Sequence, residues 1–313
     1  MQIKLWGVRG SIPTPIHTFE YRQRLVHALE AGRERWAADP SLSSKTIVDE
    51  LPDITGHLIG GETTCVEVLS GDGKDQLILD LGTGARRLGY DMMARGIKGD
   101  VYILLTHTYW DHIQGWPFFV PGFLPTNHIH FYSSFENARE RFQRQQDPAH
   151  FPVEFEQMLS KREFHMLEPG RPTSINGFTV RTARLAHDGA SLAYRLERDG
   201  KAFGFATDTE YSHENFQERV NSDREIFEGL DLLVMDARGA SDPASAAAGR
   251  PQTSVALAIA CAREWNVEHL VLVDHDPRGS DGELLVLPAR SDADSSSGGP
   301  RVEVGREGAE FSL

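Results

Sequence analysis

The sequence predicts a layered α/β fold, with helices packed outside a sheet or sheets. Three observations carry that reading. Short apolar runs bounded by glycine and aspartate recur along the chain, several alternating as half-buried strands do. Helical patterns fall between the runs. The earlier half is richer in strands, and the later half ends in strand, helix, strand.

The elements follow in order. The opening "MQIKLWGVRGSIPTP" begins like a strand and lacks the apolar core of a secretory signal. Residues 16–59 read as a helical insertion, with a helix from Phe19 to Trp36 that turns Arg22, Arg24 and Arg33 outward. Strands are expected at Leu77–Leu79, Val101–Leu105, His128–Tyr132, Phe178–Leu185, Leu192–Leu196, Ala202–Ala206, Leu230–Met235 and Leu270–Val273. Helices are expected at Asn137–Gln146 and Ser212–Glu228. The stretch "TSVALAIACAREW", Thr253 to Trp265, is the most apolar and reads as a buried helix. No repeat of fixed period is present. Residues 1–290 are read as one domain. Residues 291–313, rich in serine and glycine, are read as a flexible polar tail that can carry a weak terminal strand.

Composition narrows the function. Across 313 residues, Asp and Glu outnumber Lys and Arg 46 to 32, a net charge of -14. Such a chain is poorly suited to long nucleic acids or anionic membranes, although one basic pocket for a small anion remains compatible. Cys65 and Cys261 each lie in an apolar stretch, outside any Cys-x-x-Cys pair, and read as buried thiols. No stretch approaches the roughly 18 apolar residues of a membrane span. The expected location is cytoplasmic.

The chemistry concentrates in "LLTHTYWDHIQG". An apolar strand ends at Thr106, and the chain at once offers His107, Tyr109, Asp111 and His112. Imidazole nitrogens with a hard carboxylate oxygen suit zinc, iron or manganese. The other reading of this stretch alone is a helix N-terminus, where Asp111 is favoured by the dipole and the histidines are merely polar. Three further strands end in kind: at His187, at Asp208 in "AFGFATDTE", and at Asp274-His275-Asp276 in "HLVLVDHDP". Four strand ends carrying acid or imidazole form the pattern of an assembled site.

The motifs resemble those of the metallo-β-lactamase-fold hydrolases, in the branch of ribonuclease Z and the small phosphodiesterases. "KLWGVRGSIPTP" is similar to that branch's opening strand and loop. "GGETTCVEV" is similar to its Gly-Gly-Asn-Thr-x-Cys segment, with Glu62 where asparagine is usual. "LILDLGTGARRLG" resembles its Asp-x-Gly-x-Gly turn, through Asp80, Gly82 and Gly84, and "THTYWDHIQGWPFF" its His-x-His-x-Asp-His motif. The resemblance implies a four-layer αββα sandwich and two metal ions about 3.5 Å apart. It implies His107 and His187 on the first metal, Asp111 and His112 on the second, and Asp208 between them. Asp80 is implied to orient the His107 loop by hydrogen bonds. Many members of the family are dimers, which leaves a homodimer open.

The chain also departs from the family pattern. Tyr109 stands at the second motif histidine, and Asp274 at the last ligand histidine, with His275 one place late. Gln252 aligns with a histidine that often precedes the buried helix. Tyrosine and aspartate both bind metals, so an oxygen-rich pair of sites would shift preference from zinc toward iron or manganese. The other reading is that Tyr109 only packs. The implied activity is hydrolysis of a small phosphodiester, such as a cyclic nucleotide, by a metal-bound hydroxide, with Asp111 orienting the nucleophile. His275 is a candidate acid for the leaving group or a structural hydrogen-bonding residue. Phe118, Phe119 and Phe151 either line the pocket or belong to the core. Two other classes remain: a redox-active di-iron or manganese protein, and a degraded module that binds a nucleotide or partner without turnover.

Overall fold

The computed structural model describes residues 1–187, 191–237, 253–286 and 299–313. Its strands are β1 (Gln2–Gly7), β2 (Cys65–Leu69), β3 (Gln76–Leu79), β4 (Asp100–Leu104), β5 (His128–Ser133), β6 (Lys161–Met166) and β7 (Thr173–Ile175). They continue as β8 (Phe178–Arg184), β9 (Leu192–Arg198), β10 (Lys201–Ala206), β11 (Leu232–Asp236), β12 (His269–Val273), β13 (Arg301–Val304) and β14 (Glu310–Ser312).

These strands form two mixed sheets. One runs β14-β1-β2-β3-β4-β5-β6, the other β13-β12-β11-β10-β9-β8-β7. Strand periodicity sorts the side chains into layers. Val66, Val68 and Leu104 of the first sheet meet Phe203, Phe205, Val234 and Val271 of the second in one central core. The alternate residues Cys65, Ile78, Val101 and Ile103 face outward, onto the helix Gly84–Ala94 and Trp116. On the second sheet Leu233, Met235, Leu270 and Leu272 face outward against Val255–Glu264. The predicted four layers, helix, sheet, sheet and helix, are therefore present.

Several expectations change in detail. Three helices, Thr18–Ala38, Ser44–Asp49 and Asp53–Gly56, lie between β1 and β2. Arg22 and Arg33 are exposed as expected, but Arg24 pairs with Asp281 at 2.7 Å and is partly buried, and Phe19, Leu25 and Leu29 are exposed as well. The helix expected over Ser212–Glu228 divides into Phe216–Ser222 and Arg224–Phe227. Residues 301–304 and 310–312, expected in a flexible tail, close an edge of each sheet as β13 and β14. Their cue is faint because edge strands bury few side chains, and backbone pairing to β12 and β1 supplies the order. Both cysteines are buried free thiols. Among the described residues, no helix is long and apolar enough to cross a membrane.

Topology fixes where the site lies. Strands β3 to β6 are parallel, as are β10 to β13. Their carboxyl ends open on the same edge of the sandwich, where α/β proteins assemble sites.

Candidate metal centre

Three aspartates sit just past the carboxyl ends of β3, β10 and β12: Asp80, Asp208 and Asp274. All three adopt a left-handed backbone, with φ of 58°, 57° and 57°. Aspartate tolerates that region better than most residues, and such strain collects at functional sites. Close packing holds the turns. A Cβ on Gly82 would lie 2.5 Å from the carbonyl of Asp111, and one on Gly115 would lie 2.0 Å from that of Gly82. These glycines let the β3 turn press against the Asp111–His112 loop.

The hydrogen bonds around Asp80 settle which nitrogens face the site. Asp80 is fully buried and accepts from the Thr106 amide at 2.8 Å and the Thr106 hydroxyl at 2.7 Å. His112 Nδ1 lies 2.8 Å from the same carboxylate. A carboxylate only accepts, so His112 carries its proton on Nδ1. The Thr106 hydroxyl has given its proton to Asp80, so it accepts from His107 Nδ1 at 2.9 Å. His187 repeats the device: its Nδ1 donates to Glu210 at 2.9 Å. All three imidazoles therefore present an Nε2 lone pair inward.

The lone pairs of His107 and His112 converge on Asp208. Its Oδ2 lies 3.1 Å from His112 Nε2 and 3.4 Å from His107 Nε2. The three Nε2 atoms and Asp208 Oδ2 are buried without a hydrogen-bond partner among the described residues. Each such atom costs about 1–3 kcal/mol. Two acceptors this close need a proton or a cation between them. The titration behaviour says the same. Burial opposes charge on His112, yet the Asp111 and Asp80 carboxylates raise its pKa well above the ordinary value. Burial pushes His107 the other way, down to about 3, helped by His112. Burial would raise Asp208, but His107 and His112 hold it well below the carboxylate range. The donor set fits a metal ion.

The remaining predicted residues fall around this nucleus. Atoms of His107, His112 and Asp208 lie within 4.8 Å of one another, as do those of Asp111, His112 and Asp274. Asp111 is positioned by the Ser11 amide, which donates to its Oδ2 at 2.7 Å. The Tyr109 ring stands edge-on to His107 and His187, with centroids 4.8 and 5.3 Å away.

His275 requires a correction as a candidate acid. Its side chain is 1% exposed and its Nε2 lies 2.9 Å from the Gly305 carbonyl, to which it donates. Burial pushes its pKa down to about 4. It ties the β12 turn to the chain terminus. His275→Ala is expected to cost about 2–4 kcal/mol in chemical unfolding while leaving kcat unchanged. Phe119 is also core, fully buried. Phe118 is exposed and packs edge-to-face on Phe151, with centroids 5.6 Å apart. Gln252 lies outside the described residues.

Three contributors escaped the sequence reading. Glu210 is two residues beyond Asp208 and its carboxylate type was the one available cue. Ser11 acts through its backbone, which leaves no side-chain signal. Arg141 donates to the Thr108 hydroxyl at 2.7 Å, placing a cation beside the His107–Tyr109 loop.

A family model described as beta-lactamase superfamily domain matches residues 91–275, more than half the chain. The chain belongs to that superfamily. Its fold is mostly one of metal-dependent hydrolases. Solved structures agree on the fold. A diphosphatase from the PhnP family is 14% identical with a TM-score of 0.61, covering 100% of this chain and 97% of that one. Human short-form tRNase Z is 14% identical at a TM-score of 0.58, covering 100% and 99%. Zinc-bound PqqB from Methylobacterium extorquens is 13% identical at a TM-score of 0.61, covering 100% of both. No curated protein matches the chain.

Proposed function

We propose that the chain is a metal-dependent hydrolase of a small phosphodiester, the class to which cyclic nucleotides belong. The observation that carries this reading is the convergence of the buried His107 and His112 Nε2 atoms on Asp208, with the unpartnered His187 Nε2 beside them. His107, His187, Tyr109 and Asp208 would hold one ion. Asp111, His112, Asp274 and the shared Asp208 would hold the other. Such ions acidify water and polarise a phosphoryl oxygen. Two neighbours bear the names of a diphosphatase and a tRNase, in keeping with phosphoryl chemistry.

The chain's own residues do the positioning. Asp80 and Glu210 lock the imidazole tautomers. The Ser11 amide fixes the Asp111 carboxylate toward the site. Arg141, beside Thr108, supplies charge to orient a phosphodiester without entering the ligand set. Trp110 is 76% exposed beside that loop, and offers a face for a base. Arg141→Ala is expected to raise KM for a phosphodiester about tenfold with kcat changed less, because the cation binds ground and transition states alike.

Tyr109 and Asp274 make the donor set rich in oxygen, which favours iron or manganese over zinc. Iron-loaded protein is then expected to show a visible tyrosinate charge-transfer band that Tyr109→Phe removes. The function itself is tested by loading chelator-stripped protein with manganese, iron or zinc and assaying a chromogenic phosphodiester and cyclic nucleotides. Turnover with manganese or iron above that with zinc is expected. Nucleotide binding without turnover under any metal would overturn the hydrolase reading and favour a binding module.

A further inference from the structure

A second constellation lies on the first sheet, along strands β4, β5 and β6. Parallel pairing aligns Asp100 with His128 and Tyr102 with His130 across β4 and β5. It aligns His130 with Glu163 and Tyr132 with His165 across β5 and β6. Period-two alternation puts all of these on one face. Asp100, His128 and Lys161 begin their strands, and the set extends from there to His165, the fifth residue of β6. His165 lies two strands across from β4, roughly 10 Å at the spacing of neighbouring strands, and none of these residues belongs to the candidate centre. The cluster is thus distinct from the candidate centre.

Its geometry is that of a ligand set. His130 Nδ1 lies 3.1 Å from His165 Nε2, and each is 3.9 Å from Glu163 Oε2. Ligands of a tetrahedral zinc with bonds of about 2.0–2.1 Å stand about 3.4 Å apart, so these three atoms bracket that spacing. On its far side His130 Nε2 donates to Asp100 at 2.8 Å, the carboxylate support that metal-bound imidazoles generally have. That bond leaves the Nδ1 lone pair for the interior of the triad.

The set is also held in place. Tyr102 stacks on His130 and Tyr132 on His165, with centroids 5.0 and 4.6 Å apart. Lys161 pairs with Glu163 through Oε1 at 2.6 Å, which leaves Oε2 toward the imidazoles. His128 Nε2 is buried with no hydrogen-bond partner among the described residues, although Glu163 Oε1 is 3.3 Å away. The side chains of Glu163 and His165 are 41% and 35% exposed, so an ion has a path in from solvent.

We propose that His130, His165 and Glu163 form a second metal site, for a divalent transition ion of the zinc class. Asp100 acts there as a positioning residue. The ion links β5 to the edge strand β6, whose outer side has no strand partner among the described residues. Histidine-carboxylate ligation suits zinc, nickel or copper and poorly suits magnesium or calcium. This contrasts with the oxygen-rich centre at the carboxyl ends.

The test is a calorimetric zinc titration of the full chain after chelator stripping, with His165→Gln, Glu163→Gln and Asp100→Asn in parallel. The wild-type chain is expected to take one more equivalent than His165→Gln or Glu163→Gln, whatever the other centre takes. Asp100→Asn should keep the equivalent with affinity about 10–100-fold weaker. Melting in chelator checks folding, and the exposed Glu163→Gln decides the matter should His165→Gln fail to fold. Equal stoichiometry and affinity in wild type and Glu163→Gln would overturn the site. Phosphodiester hydrolysis should survive Glu163→Gln, so loss of this site and loss of the hydrolase reading are separable.

Discussion

Replacing Asp208 with asparagine is expected to lower kcat/KM toward a phosphodiester by about 10²–10³-fold or more. The same change should strip bound metal, with little effect on folding. Asp208 Oδ2 is the atom on which His107 and His112 converge, at 3.4 and 3.1 Å. An amide at that place has no charge to hold a cation between the imidazoles. Asparagine accepts a backbone φ of 57° as readily as aspartate, so the β10 turn should persist. A stability change under about 1 kcal/mol is therefore expected from that turn. Elemental analysis and chemical unfolding of one preparation read both effects. A variant that keeps its metal and its turnover would remove Asp208 from the centre.

The largest loss of stability is expected at Asp80. Alanine there strands the Thr106 amide, the Thr106 hydroxyl and His112 Nδ1, all of them buried. It also places a Cβ residue with no compensating hydrogen bond at a φ of 58°. Three orphaned donors at about 1–3 kcal/mol each, with strain of about 1–2 kcal/mol, sum to roughly 4–11 kcal/mol. That is comparable with the whole stability of many domains. Asp80→Asn keeps the turn and should fold, but it no longer enforces both tautomers. Metal affinity should then fall about 10–100-fold, as for loss of a carboxylate behind a ligating histidine. Urea midpoints separate the two variants, and a midpoint unchanged in Asp80→Ala would show that the network is dispensable.

Much of this centre was legible because its parts end strands. An apolar run that stops at His, Asp or Thr marks a carboxyl strand end, and those ends meet wherever strands are parallel. His107, Asp111, His112, His187, Asp208 and Asp274 were found that way, with the family resemblance supplying the pairing and adding Asp80. Spacing alone could not say which way a side chain turns. At "DHDP" the left-handed Asp274 faces the cluster and sends His275 to Gly305. Contacts made by backbone, such as Ser11 to Asp111, leave no mark in composition. Nor do those that depend on tertiary approach, such as Arg141 to Thr108. The fold showed the same divide. Buried β10, β11 and β12 read as apolar runs, while β6, "KREFHM", did not. That strand lies at an edge with its side chains half-exposed, and its polar residues are the ones that build the second cluster.

The central claim is that Tyr109 and Asp274 re-tune a dinuclear centre instead of marking a lost one. Its most direct test is the iron, manganese and zinc content of the Glu163→Gln chain, purified without chelator or affinity metal. Using that variant keeps the surface cluster from contributing. Two equivalents per chain, chiefly iron or manganese, are the predicted result. No metal, or a single weakly held zinc, would contradict it.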